Sequence, residues 1–413
     1  MTTPTTAPDD RLTELDWVRI AAFALLILYH VGMFYVPWDW HVKSPQPVPA
    51  LEAWMQLSSP WRMSLLFVVS GAASGLMRRR ASAAAGARER SKRLLLPLLL
   101  GMAVIVPPQP YLEVVEKWGY AGSCLDFLAR YYAADHSFCR GKDCLTLPTW
   151  NHLWFVAYLW VYTMLLLAAQ HWQGGGLLAH PRWQTLSGGA RLLWLPSVLF
   201  AIVRLTLLLA FPSKHNLTWD WFNHALYGSM FLLGAALFGH ADDRHGAWAA
   251  ALRWRWWALA GAGVLLVGMP RWLEALGGWD ALPGWGRQLW LVVGGARHWL
   301  PVVAALGFAR RHLHGRDGPW RHTLTEAVFP FYIVHQTLIV VAAHALARQG
   351  WPQGLEALAL VGVTAAGCVA TYVLVRPVGW LRPWFGMPPR GGTAARGQIA
   401  SGSMSTAQRN RPL

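Results

Sequence analysis

The chain has 413 residues, of which 54% are hydrophobic and only 14% charged, with a formal net charge of +16. That balance excludes an ordinary soluble domain, because apolar stretches of about 20 residues recur from one end to the other. The positive charge argues for membrane topology and against nucleic acid as a partner, since the basic residues fall in alternate loops between those stretches.

The first residues, Met1 to Asp10, are polar and carry two acids but no basic run, so the apolar stretch that follows reads as a retained span and not a cleaved signal peptide. In chain order the predicted spans are Leu15–Trp38, Trp54–Met77, Leu94–Pro110, His152–Gln170, Leu192–Phe211, Trp221–Gly239, Trp257–Leu273, Gln288–Ala309, Leu324–Ala347 and Leu355–Val375. The expected fold class is therefore all-α, a polytopic transmembrane helix bundle of about ten spans. Residues 1–14 read as a short cytoplasmic segment, 15–376 as one membrane domain, and 377–413 as a basic tail rich in Gly, Ser, Thr and Arg that is expected to be disordered.

Charge sets the expected orientation. Arg78, Arg79, Arg80, Arg88, Arg90, Lys92 and Arg93 follow the second span, and Arg244, Arg253 and Arg255 follow the sixth. Arg310, Arg311, Arg316 and Arg321 follow the eighth, and Arg382, Arg390, Arg396, Arg409 and Arg411 follow the tenth. The intervening loops are poor in cations or balance them with acids, as Glu113, Glu116, Asp126, Asp135 and Asp143 do in the longest. By the positive-inside rule both termini are cytoplasmic, as an even number of spans requires. Cys124, Cys139 and Cys144 then fall outside the cytoplasm, where Cys139 and Cys144 either close a small disulfide loop or remain thiols. Their spacing does not make a zinc site, because the only nearby histidine is His136, and no metal is expected. Cys368, inside the last span, reads as a packing residue.

Ionisable residues within these spans need a reason, because a charge at mid-membrane costs roughly 2.5–3.5 kcal/mol even on lenient scales. Arg19 and His30 stand eleven residues apart in the first span. That spacing is about three helical turns, so both project from one face, separated by about 16 Å. Arg19 taken alone is also explained by snorkelling and by pairing with Asp16 one turn earlier. His30 lies too deep for that. Arg90 and Arg93, with Lys92 between them, are one turn apart where the third span emerges and can grip a phosphate together. As composition alone they form an ordinary positive-inside loop. Ser70-Gly71 reads by default as a small-residue helix contact. His335 lies deep in the ninth span, within Phe331-Tyr332-Ile333-Val334-His335, just after the helix-bending Pro330. His152 opens the fourth span at an interface that tolerates histidine.

Taken together these segments resemble the acyltransferase-3 family of integral membrane O-acyltransferases. Four pieces carry the resemblance: Leu15-Asp16-x-x-Arg19 followed by ten residues and His30; Phe67-x-x-Ser70-Gly71; Arg90-x-x-Arg93 before Leu-Leu-x-Pro; and Phe331-Tyr332-x-x-His335. Arg62-Met63, Arg90–Pro97 and His152-Leu153-Trp154-Phe155 look most like the glucans biosynthesis protein C branch, implicated in succinylating periplasmic glucans. The resemblance implies a bacterial inner-membrane enzyme that moves an acyl group from cytoplasmic acyl-CoA, acetyl-CoA or succinyl-CoA, to a hydroxyl of an extracytoplasmic carbohydrate. Under it His30 is the expected general base, Arg19 orients the donor, and His335 positions substrate or stabilises the oxyanion. Arg90, Arg93 and Lys92 would hold the CoA phosphates, and Asp16, Tyr332 and Ser70 would contact substrate. A dicarboxylic donor would want a further cation near the thioester, which Arg62 or Arg204 could supply. An acyl-histidine intermediate and direct transfer both stay open. The competing class is a transporter with an intramembrane Arg/His path and no acyl chemistry.

Overall fold

The computed structural model describes residues 12–77, 83–141, 143–173, 176–240 and 242–389. Arg78, Arg79 and Arg80 of the basic loop, and residues 390–413 of the tail, lie outside the described residues.

The protein is a helical bundle. Its helices are α1 (Thr13–Tyr35), α2 (Leu51–Ser58), α3 (Arg62–Met77), α4 (Ala83–Leu100), α5 (Pro108–Trp118), α6 (Cys124–Tyr132), α7 (Trp154–Trp172) and α8 (Gly176–Ala179). They continue with α9 (Arg182–Ser187), α10 (Arg191–Val203), α11 (Trp221–Leu233), α12 (Ala247–Gly263), α13 (Met269–Ala275), α14 (Gly284–His312), α15 (Pro319–Leu346) and α16 (Gln353–Val375). The only strands among the described residues are two short ones, Cys139–Arg140 and Asp143–Cys144, paired antiparallel in the loop that carries the Cys139–Cys144 disulfide.

Each apolar stretch read from the sequence is helical over most of its length. Among the described residues six helices are long and apolar enough to cross a membrane: Thr13–Tyr35, Asn151–Trp172, Arg191–Leu208, Gly284–His312, Pro319–Gln349 and Gln353–Val375. A seventh counts if Ala83–Ile105 and Pro108–Trp118, bent by 41° at the break between them, form one span. The second predicted stretch is divided into α2 and α3 at Ser59–Trp61, where Pro60 lacks the amide to carry the helix through.

Two ends of the molecule are distinguishable by their chemistry. At the end holding Thr13, the hydroxyl of Thr13 donates to the Leu313 carbonyl (3.1 Å) and the Trp17 indole to that of Arg316 (3.0 Å). Glu14, fully buried, pairs with Arg310, while Asp16 pairs with both Arg19 (2.8 Å) and Arg321 (2.5 Å). At the opposite end, Lys43 turns its ammonium back onto the carbonyls of Met33 (2.6 Å) and Val36 and satisfies acceptors left open at the C-terminus of α1. Burial there lowers the lysine from 10.5 to about 8.

Close backbone approach holds the centre. A Cβ on Gly71 would sit 1.9 Å from the Phe231 carbonyl oxygen, and one on Gly234 would sit 2.1 Å from that of Val68. Only glycine permits α3 to lie this near α11, so Ser70-Gly71 is the helix contact its composition suggests. Residues 377–389 are folded rather than trailing away. Arg382 is buried, donating to Glu326 (2.6 Å) and to the carbonyl of Arg376 (3.0 Å), which ties this segment to α15 and the end of α16.

Candidate functional site

α1 and α15 bring together the two deep histidines that lie far apart in sequence. His30 Nδ1 is 2.8 Å from His335 Nε2, with the rings nearly parallel at 5.1 Å between centroids. His335 Nδ1 lies 2.7 Å from the carbonyl oxygen of Tyr332. A carbonyl only accepts, so Nδ1 of His335 carries the proton and its Nε2 receives the Nδ1–H of His30. In the neutral pair the remaining lone pair of His30 is therefore on Nε2, which has no hydrogen-bond partner among the described residues. Trp40 lies nearly parallel to the His30 ring at 6.5 Å.

His30 lines a cavity of about 320 Å³ at the end of the molecule opposite Thr13, together with His41, Asn151, His152, Lys214 and Gln336. Trp150, Trp154, Thr149 and His215 complete its wall, and the Trp154 and His215 rings stack at 3.9 Å. The cavity is thus polar on its floor and aromatic on one side. Burial pushes the His215 imidazole down to about 4, against the opposing pull of Asp220, so this loop histidine is neutral near neutral pH.

A polar lattice fixes the floor. Gln109, fully buried, accepts at Oε1 from Asn151 (2.9 Å) and from Gln336 (3.0 Å), and donates from Nε2 to Thr337 (2.7 Å) and towards His152 Nδ1 (3.4 Å). His152 donates in turn from Nε2 to the Ile333 carbonyl (3.1 Å), and its own carbonyl accepts the Tyr332 hydroxyl (2.5 Å). Gln336 also donates to His41 Nε2 (3.0 Å), so His41 carries its proton on Nδ1 and gives it to Glu113 (2.5 Å). Lys117 bridges Glu113 and Asp39, each at 2.8 Å, and closes the chain at the surface.

The remaining residues singled out from sequence divide between this site and the opposite end. Tyr332 is buried beneath the histidines as a strut between α15 and the start of α7, and does not line the cavity. Ser70 also lies outside it, and its carbonyl accepts the Ser74 hydroxyl (2.8 Å). Arg19 and Asp16 are at the Thr13 end, roughly three turns from His30. Arg90 stands within electrostatic reach of both Arg19 and Arg93, and its Nη2 lies 3.4 Å from the Ser74 hydroxyl, while Lys92 and Arg93 are exposed. Arg62 is buried with its guanidinium carbon 3.5 Å from the centroid of the Tyr29 ring, beside His30 in sequence. Among the described residues no group of three or more His, Cys, Asp or Glu could hold a metal ion.

His152, Gln109, Gln336, His41 and the Lys214-His215 loop were not marked as site residues in the sequence. Gln336 follows His335 directly, and Gln109 interrupts Pro107-Pro108 and Pro110 where an amide has no local reason to be. Those were the available signals. Nothing local marks Lys214 or His215.

A family model described as "Acyltransferase domain" matches residues 12–375. The chain is also similar to proteins called "Glucans biosynthesis protein C" from Salmonella heidelberg (strain SL476), Salmonella typhi and Salmonella typhimurium (strain LT2), each 25% identical over 248 residues. These matches span 57% of this chain and 60% of each relative. No solved structure matches the chain.

Proposed function

Because the chain belongs to the acyltransferase-3 family, we propose that it is a membrane O-acyltransferase that carries an acyl group from acyl-CoA at the Thr13 end to a carbohydrate hydroxyl in the His30 cavity. The observation that carries this reading is the Tyr332 carbonyl–His335–His30 relay, which leaves one basic nitrogen at a polar, aromatic-walled cavity. Attack on a thioester needs such a base. His30 Nε2 removes the hydroxyl proton as the oxygen bonds to the thioester carbonyl carbon, the carbon–sulfur bond breaks, and the proton passes to the departing thiolate. His335 positions His30 and shares the positive charge that builds on it, as the third member of a nucleophile–base–orienter set does.

In this reading Arg90, Arg93 and Lys92 hold the CoA phosphates at the cytoplasmic face, with Arg19 on the donor side. The cavity opens extracytoplasmically, both termini are cytoplasmic, and the membrane is the bacterial inner membrane. A sugar suits the cavity because its apolar faces stack on indole and its hydroxyls need donors and acceptors, here Trp154, Asn151 and Lys214. A glucan is the natural first acceptor to try, given the names of the similar proteins, with acetyl and succinyl as first donors.

The test is acyl transfer by purified protein in vesicles, from labelled acetyl-CoA and succinyl-CoA to pooled periplasmic glucans, with His30→Ala alongside. Labelled ester formation that vanishes in a folded His30→Ala protein is the expected result. Glucan or acyl-CoA crossing the membrane with no ester formed would overturn this reading in favour of a carrier.

A further inference from the structure

Several arginines that turn inwards are neutralised by carboxylates, while buried Arg62 rests on the Tyr29 ring. Arg310 meets Glu14, Arg321 meets Asp16 and Asp317, and Arg382 meets Glu326. Arg204 and Arg297 are the exception that matters here: neither has an ion-pair partner among the described residues. Arg204 stands at the C-terminal end of α10 and Arg297 on α14, the helix against which α10 packs. The Arg204 guanidinium lies over Gly294, where a Cβ would be 2.4 Å from its Nε, so this glycine makes the room. Nε donates to the Leu291 carbonyl (3.1 Å) and Nη1 to His298 Nε2 (3.2 Å), leaving Nη2 without a hydrogen-bond partner among the described residues.

Arg297, next to His298, is only 7% exposed. Its Nε and Nη2 are buried with no hydrogen-bond partner among the described residues, and its guanidinium carbon stands 5.4 Å from the Trp290 ring centroid. Arg204 also begins a π-helical turn, Arg204–Leu208, a widening of the helix that recurs at functional sites. Two guanidiniums without a counter-ion, on helices packed against each other, are costly in a bundle interior. Arg297 is about 20 Å from either end of α14, near the middle of the helix. None of the three residues lines the His30 cavity.

We propose that Arg204 and Arg297, with His298 positioning Arg204, form an internal binding site for one anionic oxyacid group, a carboxylate or a phosphate. The guanidinium forks supply the unused N–H donors, with Gly294 beside Arg204 and Trp290 beside Arg297. The anion has two chemical sources, a small carboxylate substrate or the phosphate of an anionic phospholipid drawn in between α10 and α14. The site goes beyond the acyl-transfer reading and does not depend on it.

Thermal unfolding of the full chain in neutral detergent tests it, with succinate, phosphatidylglycerol or phosphatidylcholine added, on wild type, Arg297→Gln, Arg204→Gln and the exposed control Arg271→Gln. A saturating anion should raise the wild-type midpoint by about 3 °C or more. Both site variants should lose that rise and the control should keep it. Without anion, Arg297→Gln should be at least as stable as wild type, because it removes an uncompensated buried charge. A response to succinate identifies a small carboxylate, and one to phosphatidylglycerol but not phosphatidylcholine identifies a lipid phosphate. If neither anion stabilises wild type, or if both site variants respond as wild type does, the proposal is overturned. Should one site variant fail to fold, the other carries the comparison.

Discussion

At the scale of single residues, what matters in this site is which nitrogen of each histidine holds the proton, and a neighbour on another helix decides it. His335 is bound at Nδ1 to its own helix and so presents a lone pair to His30, which presents its own to the cavity. Replacing His335 with Gln should therefore lower kcat by about 10²-fold or more, with the KM for the donor changed by less than about threefold. Equal losses in binding and turnover would instead mark His335 as a substrate contact. Losing the Gln109 side chain to Leu should cost about 2 kcal/mol or more, since it strands donors and acceptors on Asn151, Gln336 and Thr337; a denaturation series against wild type checks this. His215 makes a prediction in pH. Its folded value of about 4 lies below the ordinary 6.5, so on acidification the unfolded chain takes up this proton first. The contribution to stability is complete above about pH 6.5, declines as pH falls towards 4, and does not change further below that. Melting curves across that window should show the decline, and His215→Gln should flatten it. Sequence marked His30 and His335 because both are too deep to snorkel, but the bond between them links positions 305 residues apart and left no trace in either segment.

At the scale of elements, Gly71 of α3 and Gly234, in the π-helical turn that continues α11, set the distance between the two helices. An added Cβ at Gly71 meets the backbone carbonyl of Phe231, which cannot swing aside as a side chain would. Gly71→Ala should destabilise by about 1–3 kcal/mol or more, whereas Gly263→Ala, with nothing within 4 Å of the new methyl, should be neutral or mildly stabilising. Thermal unfolding of the two variants side by side checks this. Most helices were legible because apolar runs of this length have few alternatives in lipid. Their breaks were less so. Residues 101–105 take a π-helical turn whose exposed carbonyls accept the hydroxyls of Tyr131 (from Met102, 2.9 Å) and Thr337 (from Ile105, 2.7 Å). Those donors are supplied from α6 and α15, and a window on the local sequence does not contain them.

At the scale of the whole molecule, a chain of +16 whose cations gather in alternate loops should orient with both termini inside. Exposed Cys124 is then reachable from outside, so a membrane-impermeant maleimide should label it in intact cells; in a Cys124→Ser background, Arg88→Cys should be labelled only after lysis. Labelling of Arg88→Cys before lysis would reverse the orientation. Inside the bundle, charge is balanced pair by pair at Glu14, Asp16 and Glu326, by partners distant in sequence.

Sequence by itself determined that this is a polytopic helical protein with titratable groups at depth, because hydrophobic length, charge placement and the cost of burying an ion are additive along the chain. It also carried the family, whose motifs are short and local. Tertiary structure alone decided which histidine nitrogen is left without a partner, that Gln109 lies behind the cavity and Gln336 on its floor, and that Arg204 and Arg297 have no carboxylate partner among the described residues. These are properties of pairs of side chains on different helices, set by packing distance and hydrogen-bond direction, and neither quantity is local to any stretch of sequence.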